Sequence, residues 1–187
     1  MPAPQAMRRR ILEAAVATLA AEGVSASTAA MAKRAGIAQG SIFHHFESKA
    51  GLLNALYLEL AEEVRAAVLA DIPAAGLREQ LLVVWGRWLD WAAEHPARRR
   101  SLMLLSLSDV ITAESRAGSA RNQAAGVELF QRAAAGGPLD GQPIAFLGAV
   151  VEGVAYAAMD AIQRDPERAG QYHAAGFAAL WNLLRPA

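Results

Sequence analysis

The sequence has no cysteine. That absence excludes a disulfide scaffold, a thiolate metal site and a cysteine nucleophile. Aromatic residues are only 6% of the chain, β-branched residues are sparse, and no stretch alternates apolar with polar residues, so no strand is predicted. Charge is scarce and balanced. Charged residues are 19% of the total, with 18 Lys and Arg against 18 Asp and Glu, so net charge gives no sign of an anionic partner. The most apolar stretch, Ile144 to Ile162, is interrupted by Glu152 and Asp160, and no membrane span is expected. Arg8–Arg10 precede an Ala-rich run as in a secretion signal, but Glu13 breaks that run and its hydrophobicity is helical. A folded helix and a cytoplasmic protein are therefore expected. There is no P-loop, no H-E-x-x-H, and no serine spaced with a histidine and a carboxylate, so neither enzyme activity nor a bound cofactor or metal is expected.

What the chain has is 187 residues, 54% of them hydrophobic, enough for a buried core in one domain or in a small one fused to a larger. Ala and Leu dominate and favour helix. The breakers predict an all-α protein of nine helices, after a loose tail at residues 1–6. The first helix runs from Met7 to Ala21, with Ile11, Leu12, Ala15, Val16 and Leu19 on one face. Ser27 caps a second that ends near Ala35, and a short third spans Gln39 to His45. Ser48 caps a long fourth to Ala70. Further helices are predicted over 77–94, 96–108, 112–135 and 143–163. The last follows Asp165-Pro166, read as an N-cap and an N1 proline, and runs to Leu184.

The first 50 residues carry Arg8, Arg9, Arg10, Lys33, Arg34 and Lys49 against Glu13, Glu22 and Glu47. A net +3 front on a net −3 remainder suits a front that meets an anion. The second and third helices are joined by Ala35-Gly36-Ile37-Ala38. Glycine allows a sharp reversal there and Ile37 can plug the angle, which is the helix-turn-helix arrangement. Met31, Ala32, Ala35, Ile37, Ile42 and Phe46 would form its core. Gln39, Ser41, Phe43 and His44 would then remain on the outer face of the third helix. Adjacent His44 and His45 point about 100° apart on a helix, so they do not form a metal pair. Arg98-Arg99-Arg100 reads as a solvated helix start.

Arg10-Ile11-Leu12-Glu13-Ala14-Ala15, then Leu19, Gly23, Met31-Ala32, Ala35-Gly36-Ile37, Gly40 through Phe46, Ser48-Lys49 and Leu52 together resemble the DNA-binding domain of the TetR family of bacterial transcriptional regulators. The likeness covers residues 8–53. It implies a DNA-binding domain over residues 1–50 and a helical effector-binding and dimerisation domain over 51–187. It places Ser27 and Thr28 against backbone phosphates, and Gln39, Gly40 and Ser41 at the start of the recognition helix. Gln39 matches the N6/N7 edge of adenine, and Gly40 lets the helix come close to the bases. Phe43 stands where the family usually has a phosphate-binding tyrosine. His44 and His45 meet bases or phosphates, and Lys49 faces a phosphate. Ala38 stands in place of the usual capping serine or threonine, and Ala50-Gly51 in place of the usual acidic residue.

Trp85, Trp88 and Trp91 recur every three residues. They are read either as core or as part of an effector pocket, for which the candidates are Trp85, Trp88, Leu89, Met103, Leu107, Phe130, Tyr156 and Met159. Glu152 and Asp160 either orient a ligand or face solvent. The last two helices are rich in Gly and Ala, which allow close backbone approach. The resemblance implies that they build a homodimer, with Leu147, Val151, Val154, Phe177, Leu180, Trp181 and Leu184 as its apolar contact. The expected function is a repressor that holds a palindromic double-stranded DNA operator as a homodimer and is released by a small-molecule effector. The competing reading is a helical small-molecule-binding protein or enzyme whose front domain is vestigial.

Overall fold

A computed structural model describes residues 4–185. Among them are ten α-helices and one 3₁₀ turn, with no strand. These are α1 Pro4–Glu22, α2 Thr28–Ala35, α3 Gln39–Phe46, α4 Lys49–Leu69, α5 Leu77–Glu94, α6 Pro96–Ser106, α7 Ala113–Asn122, α8 Ala124–Ala134, α9 Ile144–Arg164 and α10 Ala169–Leu184, with the 3₁₀ turn at Pro166–Arg168. The all-α expectation holds, and three details change. Helix α1 begins at Pro4, so residues 4–6 of the predicted tail are helical, and residues 1–3 lie outside the described residues. The helix predicted over 112–135 is two helices: α7 has no large apolar side chain, so no continuous apolar stripe carries it past Gln123. Asp165 does not cap α10 with its side chain. The proline that follows it opens the 3₁₀ turn instead, and the Asp165 carboxylate accepts from the Tyr172 hydroxyl at 3.2 Å.

Packing divides the chain into two compact units, 1–63 with 95–121 and 64–94 with 122–187. This partition differs from a functional boundary at residue 50, since α6 and α7 pack with the N-terminal helices.

In the first unit the predicted stripe of α1 (Ile11, Leu12, Ala15, Val16, Leu19) is buried. Met31 and Ala32 of α2, Ile42 and Phe46 of α3, four leucines of α4, Leu105 of α6 and Ile111 complete that core. The buried Ser101 hydroxyl of α6 donates to the Val16 carbonyl at 3.0 Å, so the polar group is satisfied where α6 meets α1. Asn54 of α4 donates to the Val110 carbonyl and accepts from the Thr112 N–H, both at 2.9 Å, which pins the segment between α6 and α7. Arg98 of α6 pairs with Glu63 of α4 at 3.2 Å and with Glu13 of α1. The solvated helix start expected of Arg98 is therefore corrected: that side chain clasps two other helices. Burial raises the Glu63 carboxyl above the ordinary carboxylate value, against the opposing pull of Arg98.

In the second unit α9 supplies the central stripe (Leu147, Val151, Ala155, Ala158, Met159, Ile162) against α5, α8 and α10. By length and composition α9 could cross a membrane, with a mean hydropathy of 1.5. Here it packs that stripe into a protein core and leaves Glu152 and Asp160 exposed. Trp85 is fully buried and donates its indole N–H to the His173 carbonyl at 3.0 Å. A Cβ on Gly176 would lie 2.6 Å from the Trp85 ring, so glycine is what lets α10 accept that ring. Five residues expected at a dimer contact are core instead. Leu147, Val151, Phe177, Leu180 and Leu184 are buried within the chain, because the apolar stripes of α9 and α10 close on α5 and α8 first. The faces left exposed carry Phe146, Ala149, Gly153 and Ala157 on α9, and Ala174, Ala175, Ala178, Ala179 and Leu183 on α10.

Candidate nucleic-acid interface

The site begins at Ser27, which is extended (φ −81°, ψ 151°) and accepts the Ala30 N–H at 3.1 Å, capping α2. Helix α2 ends in a Schellman turn. Gly36 is left-handed (φ 64°), its N–H bonds the Lys33 carbonyl at 3.1 Å, and the Ile37 N–H bonds the Ala32 carbonyl at 3.0 Å. A Cβ there would also press on the Arg10 guanidinium, 2.8 Å away. The reversal delivers α3, whose N-cap Ala38 makes no side-chain bond.

Only Ile42 and Phe46 anchor α3 in the core. Gln39, Gly40, Phe43 and His44 are exposed on it, and Ser41 and His45 are partly so. A Cβ at Gly40 would meet nothing within 4 Å, so internal packing does not require glycine at that position. The 41% exposure of Phe43 leaves an apolar ring on a polar face. The His44 and His45 rings meet edge-on, 5.5 Å apart. No group of three metal-ligating side chains occurs among the described residues.

The same unit carries exposed cations at Lys33 and Arg34 in the last turn of α2 and at Arg9 and Arg10 on α1, and the Arg10 guanidinium reaches the Gly36 turn that leads into α3. Arg8 is engaged inside the unit, over the Phe46 ring at 4.9 Å and beside Glu59 at 3.6 Å. Lys49 donates to the Val24 carbonyl at 2.9 Å, tying the start of α4 to the turn after α1. An ammonium has three donors, so two remain for an anion. Thr28 is 8% exposed, and its hydroxyl accepts the Gln39 side-chain N–H at 3.0 Å. That bond, the Asn54 pair and the Arg98 clasp had no signal in the sequence, because each joins different segments of the fold.

A tight turn leaves α3. Glu47 has φ 60° and ψ −39°, and the Ser48 N–H bonds the Phe46 carbonyl at 2.6 Å, a γ-turn with positive φ. That carbonyl lies where a Cβ of residue 51 would be, so Gly51 is required by backbone contact. Ser48 caps α4 through the Gly51 N–H at 2.9 Å, as expected.

Residues 11–56 match the profile of bacterial regulatory proteins of the tetR family. The crystal structure of a TetR family transcription regulator from Shewanella sp. PV-4 aligns over 94% of this chain and 96% of that one, with 30% identity and a TM-score of 0.83. The chain belongs to the TetR family. A second regulator of the family, from Marinobacter aquaeolei VT8, shares the fold with a TM-score of 0.79 at 22% identity, over 96% of this chain and 95% of that one. The protein described as the acrEF/envCD operon repressor of Escherichia coli K12 is 34% identical over 105 residues, 52% of this chain and 46% of that protein. The chain thus matches under half the length of that relative.

Against the TetR pattern, the Gly51 departure has a local cause in the Phe46 carbonyl. The Ala38 departure leaves the first turn of α3 with no side-chain cap, and the Ser41 N–H bonds the Ala38 carbonyl at 3.0 Å. The effector candidates fall in both packing units. Met103 and Leu107 belong to the first, and Leu107 is 80% exposed at the end of α6. Trp85, Trp88, Leu89, Phe130, Tyr156 and Met159 belong to the second. There Trp85, Leu89 and Met159 are buried core, whereas Trp88, Phe130 and Tyr156 are half-buried against that core.

Proposed function

We propose that this TetR-family protein is a ligand-responsive, sequence-specific transcription regulator in the cytoplasm, and that it acts as a repressor. Residues 1–50 read DNA, and residues 51–187 bind a small effector and pair two copies. The observation that carries the reading is the outer face of α3. A helix with only two buried side chains presents a glutamine, a glycine, a serine, a phenylalanine and a histidine outward, in a unit whose α1 and α2 carry exposed cations. The polar groups match base edges and phosphates, and the Phe43 ring matches a thymine methyl.

Pairing of two copies is supported by the small-residue faces of α9 and α10, which no other helix of their unit covers. Two-fold symmetry then calls for a palindromic operator with half-sites about one helical turn apart. Effector binding is supported by the half-buried Trp88, Phe130 and Tyr156 in the second unit, and α4 belongs to both units and can carry the signal. Release from DNA needs an effector that prefers the DNA-incompetent state.

The test is selection of bound duplexes from a random-sequence pool at near-physiological salt. Enrichment of a palindrome is expected. Binding without any sequence enrichment would overturn the reading and favour a vestigial front domain.

A further inference from the structure

We propose that Thr28 is a positioning residue for base readout: it orients the Gln39 amide and does not contact phosphate. The inference rests on the reading of α3 as the recognition helix and of Gln39 as a base reader. Thr28 opens α2 and Gln39 opens α3, so both stand at the end of the helix pair that would face DNA. The capping role at the start of α2 belongs to the neighbouring Ser27. Thr28 itself is 8% exposed, and its hydroxyl holds the Gln39 Nε2 at 3.0 Å. A side chain that buried is badly placed to reach a phosphate as well.

The consequence for Gln39 follows from amide chemistry. Its side chain is exposed and has three rotatable bonds, so without a tether it would sample many rotamers. The amide has two N–H donors and one acceptor oxygen. Thr28 takes one N–H and leaves one N–H with the oxygen, the pair that adenine demands through N7 and N6. Both base bonds form only when the amide plane lies edge-on to the base pair, and the Thr28 hydroxyl restricts that plane before DNA arrives. The cost of ordering the glutamine is thus met in the free protein. Sequence preference at one base pair would depend on a residue that touches no DNA.

The test compares wild type with Thr28→Val, Thr28→Ser, Gln39→Ala and the Thr28→Val/Gln39→Ala double variant. Each competes for duplexes derived from the selected operator with one base pair varied at a time, and circular dichroism and denaturation midpoints verify folding. Gln39→Ala identifies the base pair read. Thr28→Val is expected to lose about five-fold discrimination at that base pair alone, the weight of one net hydrogen bond. Its salt dependence should match wild type, Thr28→Ser should restore the preference, and the double variant should resemble Gln39→Ala. Uniform weakening on every duplex, with a salt slope lower by about one, would overturn the proposal in favour of a phosphate contact. Unchanged preference in Thr28→Val, with Gln39→Ala relaxed at one pair, would overturn the positioning role alone. If Gln39→Ala relaxes no base pair, base reading by Gln39 fails and the proposal fails with it.

Discussion

Replacing Ile42 by alanine should damage DNA binding more than overall stability. Helix α3 has eight residues, and isolated helices below about 12–15 residues are marginal in water. Its place depends on two buried side chains, Ile42 and Phe46. Ile42 is fully buried in the core of the first unit. Truncation to alanine removes three carbons from a site that cannot fully collapse, costing about 2–5 kcal/mol, whereas Ile42→Val costs about 0.5–1.5 kcal/mol. Against a typical net stability of about 5–15 kcal/mol, a loss in the lower part of that range leaves the alanine variant folded. The loss falls on a short helix held by two buried side chains, so local opening of α3 becomes easier. The assay combines denaturant midpoints, amide exchange over residues 39–46 and fluorescence anisotropy on the selected operator. Expected are a stability loss within that range, faster exchange in α3 than in α1 or α4, and a larger proportional loss of affinity in Ile42→Ala than in Ile42→Val. Full destabilisation with unchanged affinity below the midpoint would refute the reasoning, as would unchanged exchange in α3.

Gly40→Ala places a Cβ in open space on a helix, so stability should rise by about 0.5–1 kcal/mol. Operator affinity should fall if glycine serves close approach to DNA; denaturation and anisotropy together check this, and an increase in both would contradict it. Gly51→Ala forces a Cβ against the Phe46 carbonyl and should cost about 1–3 kcal/mol by overpacking, read from the urea midpoint. Burial raises the folded-state pKa of Glu63, so the folded state holds that proton more tightly than the unfolded one. From the ordinary value of 4.5 up to the raised one, stability contributed by Glu63 therefore falls as pH rises, and Glu63→Gln should flatten that part of a midpoint-against-pH series. Ala178→Arg puts a cation on the exposed small-residue face of α10 and should yield a folded monomer by light scattering. A dimer of unchanged affinity would show that pairing uses another surface.

Local signals carried most of the front half. The apolar spacing of α1, the serine caps of α2 and α4 and the glycine reversal at residue 36 act within a few residues, and each stands where the sequence places it. Features that join distant helices were not legible. Arg98 stands in an arginine run that looks solvated, and only packing of α6 beside α1 and α4 brings Glu13 and Glu63 to it. Thr28 and Gln39 each read as DNA contacts, and nothing in their spacing says that they bond each other. In the second unit, composition marks α9 and α10 as apolar on more than one side. It does not say which side meets the core: Leu147, Val151, Phe177 and Leu180 went inward, whereas Phe146, Ala149, Gly153 and Ala178 stayed out. Leu107, a pocket candidate, is exposed for a related reason: α6 ends at Ser106, and the side chain just beyond it lies in solvent.

The central claim is that the outer face of α3 reads the major groove. Methylation interference on the selected operator tests it most directly, because guanine N7 lies in the major groove and adenine N3 in the minor groove. Interference is expected at guanine N7 positions in two half-sites whose centres lie about 34–36 Å apart. Interference confined to adenine N3, or none at all despite tight binding, would contradict it.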